Sequence, residues 1–130
     1  MSISSSSGGS TLLASKTVNV LYDPQNQSFS YSGDIDPTTE QVTIYGTGTA
    51  PINFILEGAV WASVPIKWVN ASKQAIETPN CMEVTVIDGK KLVIDDCCES
   101  PGTYRFLVCV NSAGTVVCSD PKINNDPAGP

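Results

Sequence analysis

The sequence contains no histidine, and this absence removes several kinds of chemistry at once. Catalytic triads and dyads that use an imidazole as general base need a histidine beside the nucleophilic serine or cysteine. A phosphate-binding loop is not indicated either, because Gly46 and Gly48 lack the lysine and the helix that such a loop requires. The sequence therefore favours a non-catalytic protein over an enzyme, and we expect no cofactor unless a metal ion binds.

Basic residues are also few, with 7 Lys and Arg against 13 Asp and Glu and a net charge of −6. Nucleic acids and anionic membranes attract positively charged surfaces, so we expect neither as a partner. No apolar run approaches the roughly 20 residues that cross a bilayer. The first residues, MSISSSSGGSTLLASK, lack the basic and long apolar regions of a signal peptide. These observations favour a cytoplasmic protein that binds another protein or itself as a homo-oligomer.

Helical periodicity is missing throughout, and apolar side chains instead recur at every second position. Typical segments are TVNVLY, QVTIY, INFIL and TYRFLVCV, and turn residues separate such segments every 8 to 12 residues. The pattern predicts an all-β, antiparallel sandwich of about eight strands. We expect one domain over residues 16–123, a flexible leader rich in serine and glycine over 1–15, and an extended tail over 124–130.

The segment SPGTYRF resembles the entry to strand F of immunoglobulin-like domains, where Asp-x-Gly-x-Tyr-x-Cys is usual. Gly102 and Tyr104 match, whereas Ser100 replaces the aspartate and Phe106 replaces the cysteine. The resemblance implies an immunoglobulin-like sandwich and a tyrosine corner at Tyr104. It also implies that apolar rings replace the usual disulfide in the core. These rings are Phe54, Trp68 and Phe106.

The segments PIKW, PGTYRF, SDP and NDP are similar to those of short bacterial proteins grouped as DP-EP. The second dipeptide is Asp-Pro in this chain rather than Glu-Pro. This resemblance implies a fold and a bacterial lineage more than an activity.

Five cysteines is an odd number, and in a reducing compartment we expect most of them to be free thiols. If NSAG closes a four-residue loop, Cys109 and Cys118 become diagonal neighbours on the outer face of the last hairpin. Cys97, Cys98 and Cys118 could together hold zinc or copper(I), since these ions prefer thiolate ligands. The alternatives are ordinary thiols or a redox switch made of the two adjacent cysteines.

Carboxylates in turns form a second candidate site. Asp34 and Asp36 precede a proline, and Asp126 lies in the terminal NNDP segment. Oxygen ligands on loops suit calcium, although aspartate before proline is also common in turns that are simply solvated.

Three aromatic residues are candidates for a binding surface: Trp61 does not fit the core alternation, and Phe29 and Tyr31 lie in a polar stretch. They could form an exposed platform for a sugar or a protein partner, or Trp61 could close the open end of its own sandwich. The last hairpin adds an apolar stripe to the outer face, made of Leu107, Cys109, Val116 and Cys118. We expect either the N-terminal strand or another copy of the chain to cover this stripe.

The sequence as a whole favours a non-catalytic binding or structural β-sandwich module of a bacterium, one that can self-associate. The first alternative is a thiol-based redox or metal-binding protein that uses the three cysteines named above. The second alternative is a calcium-binding or carbohydrate-binding domain.

Overall fold

A computed structural model describes residues 12–97 and 100–129, and in these ranges the chain forms strands and turns without a helix. The described chain contains ten strands, which we number in chain order. Their bounds are β1 Lys16–Asp23, β2 Ser28–Gly33, β3 Gln41–Tyr45, β4 Ala50–Glu57, β5 Val60–Val69, β6 Met82–Val86, β7 Lys91–Asp96, β8 Gly102–Ser112, β9 Thr115–Ser119 and β10 Lys122–Asp126. The described residues also lack any helix that is long and apolar enough to cross a membrane.

The strands form two five-stranded sheets that face each other as a sandwich. The first sheet has the order β2-β1-β4-β7-β6, and the second has the order β3-β10-β8-β5 with β9 also paired to β8. Most neighbours are antiparallel, but β1 runs parallel to β4, and β3 runs parallel to β10. The prediction of an all-β sandwich is confirmed, whereas the expected number of about eight strands is too low and the sheets are mixed rather than antiparallel.

Strands β9 and β10 lie one after the other along the same side of β8. Cys118 in β9 opposes Cys109, and Lys122 in β10 opposes Arg105. Both pairs belong to one register. Arg105 lies four residues before Cys109 in β8, and Lys122 lies four residues after Cys118 in the segment that contains β9 and β10. Pro121 lies between the two strands and has no amide hydrogen, so one hydrogen bond of the ladder is missing there.

The strand β10 occupies part of the segment that the sequence pattern predicts to be an extended tail. It continues to Asp126 because β8 pairs with it on one side and β3 on the other. Asn125 is buried, and its amide nitrogen donates a hydrogen bond of 3.1 Å to the buried carboxylate of Asp96 on β7. This polar contact joins the two sheets, so residues 124–126 belong to the domain.

Leu12 and Leu13, which the sequence analysis places in the leader, also contact the sandwich. Leu12 forms a bridge with Thr49, and the Leu13 amide donates a hydrogen bond of 2.8 Å to the Thr49 carbonyl. Leu13 is partly buried against the core. Residues 1–11 of the predicted leader lie outside the described part of the chain.

The centre of the core contains Phe106 of β8 and rings from both sheets. Phe106 contacts Phe54 edge to face, with ring centroids 6.0 Å apart, and its ring lies 5.3 Å from that of Trp68. Phe54 and Phe106 are fully buried, and Trp68 is 5% exposed. Aromatic pairs in such orientations stabilise a core beyond the apolar area that they bury.

Two glycines with similar backbone conformations provide a test of the packing. Gly58 and Gly114 have φ values of 93° and 88°, which favour glycine. A Cβ atom at Gly58 would overlap the carbonyl oxygen of Tyr22, whereas a Cβ atom at Gly114 would meet no atom within 4 Å.

We therefore expect Gly114→Ala to lower the free energy of unfolding by about 1–2 kcal/mol, the cost of a left-handed conformation. Gly58→Ala should lower it by more than about 3 kcal/mol, because a steric clash adds to that cost. Urea denaturation of both variants measures the difference. Equal losses would contradict the close contact between Gly58 and Tyr22.

Candidate functional site

The last hairpin, β8–β9, contains a disulfide between Cys109 and Cys118. The two residues lie directly opposite each other, and their Cα atoms are 4.1 Å apart. This short separation is typical of an antiparallel pair that exchanges no backbone hydrogen bonds. Cys109 is fully buried, whereas Cys118 is exposed, so the disulfide lies on the outer face of the second sheet with one sulfur near solvent.

The observed register differs from the diagonal arrangement expected for these two cysteines. The hairpin turns at only two residues, Ala113 and Gly114, and both have positive φ values. Such a turn is typical of tight hairpins, because its twist matches the twist of the strands. The Asn111 side chain accepts a hydrogen bond of 2.8 Å from the Gly114 amide and supports this turn. The expectation was wrong because it assigned four residues to the loop.

A second disulfide joins Cys81 and Cys97, whose Cα atoms are 5.3 Å apart. Cys81 precedes β6 and Cys97 follows β7, so the disulfide closes the open end of that hairpin. The expectation of mostly free thiols therefore differs from the structure, in which four of the five cysteines are bonded in pairs. The fifth, Cys98, lies outside the described residues.

The predicted metal ligands Cys97 and Cys118 belong to two different disulfides. A disulfide sulfur is not a thiolate, so neither residue offers a zinc or copper(I) ligand while its disulfide is intact. Among the described residues, no group of three or more cysteine, aspartate or glutamate side chains is arranged to hold a metal ion. Metal or redox chemistry at Cys98 stays a prediction.

Two of the carboxylates predicted to bind calcium accept hydrogen bonds from backbone amides. Asp34 accepts a hydrogen bond of 2.8 Å from the Thr17 amide, and Asp36 accepts one of 2.8 Å from the Thr38 amide. Asp36 pairs with Gln41 at the start of β3, whereas Asp126 pairs with Tyr45 at the end of that strand. The structure therefore places Asp126 and Asp36 at opposite ends of β3 and does not bring them together.

The three aromatic residues predicted to be exposed lie in or against the core. Trp61 is 7% exposed and Tyr31 is 6% exposed, while Phe29 is partly buried beside Tyr22 at 5.0 Å between ring centroids. Trp61 belongs to β5 rather than to a loop, so its ring turns inward with that strand. These rings therefore do not form the exposed platform that was one of the two alternatives. Burial also raises the pKa of the Tyr31 hydroxyl well above its usual range, so this group is protonated at neutral pH.

The strand β9 has an unpaired long edge in the described part of the chain, where it pairs only with β8. The Phe106 amide donates to the Pro121 carbonyl, which shows that odd-numbered residues of this segment direct their backbone polar groups toward β8. Even-numbered residues point the other way, and the Lys122 amide accordingly donates to Glu40 beside β3. The amide and carbonyl groups of Val116 and Cys118 are therefore directed away from β8. We call this side of Thr115–Ser119 the β9 edge.

The β9 edge combines an uncharged sequence with backbone groups that no described strand pairs with. Val116 is 52% exposed, and residues 115–119 contain no charged side chain. The next residue along the chain, Asp120, forms an ion pair of 2.5 Å with Lys73 from the loop after β5. The β9 edge is therefore a neutral strip on a protein that has a net charge of −6.

The other edges of the two sheets are less suited to pairing. In β5 the register shifts between Trp61 and Ile66, and this irregularity includes Pro65, which cannot donate a ladder hydrogen bond. The edge of β6 contains Glu83, and β3 follows directly after Glu40. The exposed side chains of β2 are small serines, so a strand added there would bury little apolar surface.

A shallow groove of about 290 Å³ lies on the outer face of the first sheet. Its outward-facing lining consists of Asn19, Leu21, Ser30, Ser32, Ile55 and Glu57. Glu57 is the one carboxylate among these lining residues, so the groove holds no pair of carboxylates for acid–base catalysis.

Comparison with known proteins adds no relative, since neither the protein-family models nor the curated proteins that were searched match this chain.

Removing each disulfide tests whether it stabilises its hairpin. Replacing Cys81 and Cys97 by Ala, or Cys109 and Cys118 by Ala, should lower the free energy of unfolding by about 2–4 kcal/mol in each case. The expected cause is the larger freedom of the unfolded chain when a loop is no longer closed. Urea denaturation without a reductant measures this change, and Cys98→Ser is the control because it breaks neither disulfide.

A thiol titration of the denatured, unreduced protein complements these variants. We expect no more than one reactive thiol per chain. Five thiols in protein purified without a reductant would contradict both disulfides.

Proposed function

We propose that this chain is a non-catalytic binding module that adds an extended segment of a protein partner to its second sheet along the β9 edge. The observation that carries this proposal is the outward direction of the Val116 and Cys118 backbone groups on an uncharged strand. Extended peptides bind other sandwiches and barrels in this way, gaining main-chain hydrogen bonds and side-chain contacts.

The immunoglobulin-like class of the sandwich is part of the same proposal. If β4 to β8 correspond to strands B to F and β9 with β10 corresponds to strand G, the sheets have the orders A-B-E-D and G-F-C. This order is that of constant-type immunoglobulin domains. The parallel pairing of β1 with β4 and the extra strands β2 and β3 are departures from that pattern. The bacterial lineage depends only on the resemblance of the short motifs.

The described residues supply no strand to pair with the outward amide and carbonyl groups of this edge. A sheet edge with unpaired amides and carbonyls is a template for another strand, and proteins commonly protect such edges with charges, prolines or bulges. None of these features occurs within Thr115–Ser119. Val116 adds an exposed branched side chain that a neighbouring strand can cover.

The two disulfides support a location other than the cytoplasm expected from the sequence. Disulfides form and persist mainly in oxidising compartments, such as the periplasm or the extracellular space. We therefore include an oxidising compartment in the proposal. An oxidising compartment is consistent with a binding module whose edge strand β9 is disulfide-bonded to β8, rather than with a protein that needs free thiolates.

A peptide with the sequence of this chain's own residues 114–120, with Ser in place of Cys118, is a suitable probe. Titrated into dilute ¹⁵N-labelled protein, it should shift the amide resonances of Val116 and Cys118 more than those of β6. Val116→Lys should weaken this binding by about tenfold or more, because it places a charge on the strand and removes an apolar contact.

The matched control for this titration is Val86→Lys, since Val86 is 50% exposed on the edge strand β6 and lies outside the β9 edge. This variant should bind the peptide as the parent does. Peptide binding that both variants weaken equally, or shifts confined to the groove on the first sheet, would contradict the proposal.

A further inference from the structure

We infer that the segment which occupies the β9 edge is the β9 strand of a second copy of this chain, paired antiparallel about a twofold axis. This inference rests on the proposed function, since it names the partner of the same edge. The pairing joins the second sheets of two copies into one continuous sheet.

The strand is complementary to itself in one particular register. When Val117 opposes Val117 of the second copy, Val116 of each chain opposes Cys118 of the other. Val116 and Cys118 are the two residues of β9 whose backbone groups point outward, so this register satisfies both of them with four hydrogen bonds. A register centred on Cys118 would instead bring Asp120 opposite Val116, and one centred on Val116 would involve the turn at Gly114.

Charge favours this contact over other contacts between two copies. Each chain has a net charge of −6, so most pairs of surfaces on two copies repel each other. The strip at Thr115–Ser119 is uncharged, and Lys73 neutralises the neighbouring Asp120. Two such strips therefore approach each other without placing like charges directly opposite, which is unfavourable in a sheet.

Burial of apolar side chains also favours the pairing of two β9 edges. The exposed Val116 side chain lies on the outer face beside the Cys109–Cys118 disulfide, because it shares the face of Cys118. In the proposed register it meets the disulfide of the second copy. An isologous contact of this kind uses the same residues on both chains and closes after two copies.

Sedimentation velocity over a range of concentrations measures the association. The parent chain and Val86→Lys should both form a dimer as the concentration rises, whereas Val116→Lys should remain monomeric at every concentration. The far-ultraviolet circular dichroism and urea midpoint of Val116→Lys show whether it folds. A parent chain that is monomeric throughout, or a dimer that Val116→Lys does not weaken, would overturn the inference.

Cross-linking tests the register independently of that variant. In a Cys98→Ser background, Val117→Cys should form an interchain disulfide under mild oxidation, because directly opposite positions of this type bring Cα atoms to about 4.5 Å. Val86→Cys in the same background should not cross-link. Equal cross-linking at both positions would contradict pairing through β9.

Hydrogen exchange separates a second copy from a segment of the same chain. If the parent is monomeric and its Val116 and Cys118 amides are nevertheless protected, the chain itself covers the edge and the inference is wrong. If the parent is monomeric, these amides exchange freely and the peptide probe binds, the proposed function stands while the second copy is excluded as its partner. A dimer that Val116→Lys does not weaken, together with a peptide that leaves Val116 unaffected, contradicts both.

Discussion

The burial of Phe106 between the two sheets is the contact on which the remaining structure depends. Phe106 touches Phe54 of the first sheet and Trp68 of the second, so it fixes the spacing of the layers at their centre. It lies on β8, which pairs with β5 on one side and with β9 and β10 on the other. Because Phe106 points inward, the alternation along β8 directs Cys109 outward. The position of the disulfide on the outer face therefore follows from the packing of one core ring.

The strands themselves could be predicted because each buries alternate side chains. TVNVLY and TYRFLVCV show this pattern plainly, and both are strands in the structure. The strand β10 could not be predicted in this way, since KINND reads as polar. Its Asn125 is buried because it donates to Asp96 on the opposite sheet, and a contact between residues so far apart in sequence leaves no local signal. Trp61 was misplaced for a related reason, because it was assigned to a loop between strands, whereas β5 begins at Val60.

The disulfides are the other feature that the alternation of apolar residues in the sequence could not predict. Whether Cys109 opposes Cys118 depends on the length of the turn, and a change from four loop residues to two changes every pair in the hairpin. The signal that could have indicated the shorter turn was Ala113-Gly114 after Asn111, since glycine accepts a positive φ and asparagine can bond to the turn. The absence of a histidine and of a basic cluster carried no information about the edge of β9.

Each disulfide links an edge strand to the neighbouring inner strand of its sheet. This placement explains how β9 can stay attached to β8 while its other edge is exposed. Cys81–Cys97 holds β6 to β7, and Cys109–Cys118 holds β9 to β8. An edge strand that detaches easily can exchange between copies, which leads to domain swapping rather than to reversible pairing. A covalent link at Cys118 within β9 opposes detachment, while the backbone groups of Val116 and Cys118 still point outward. The same bond that stabilises the hairpin therefore keeps the β9 edge in a fixed shape, and a fixed template loses less conformational entropy when another strand is added.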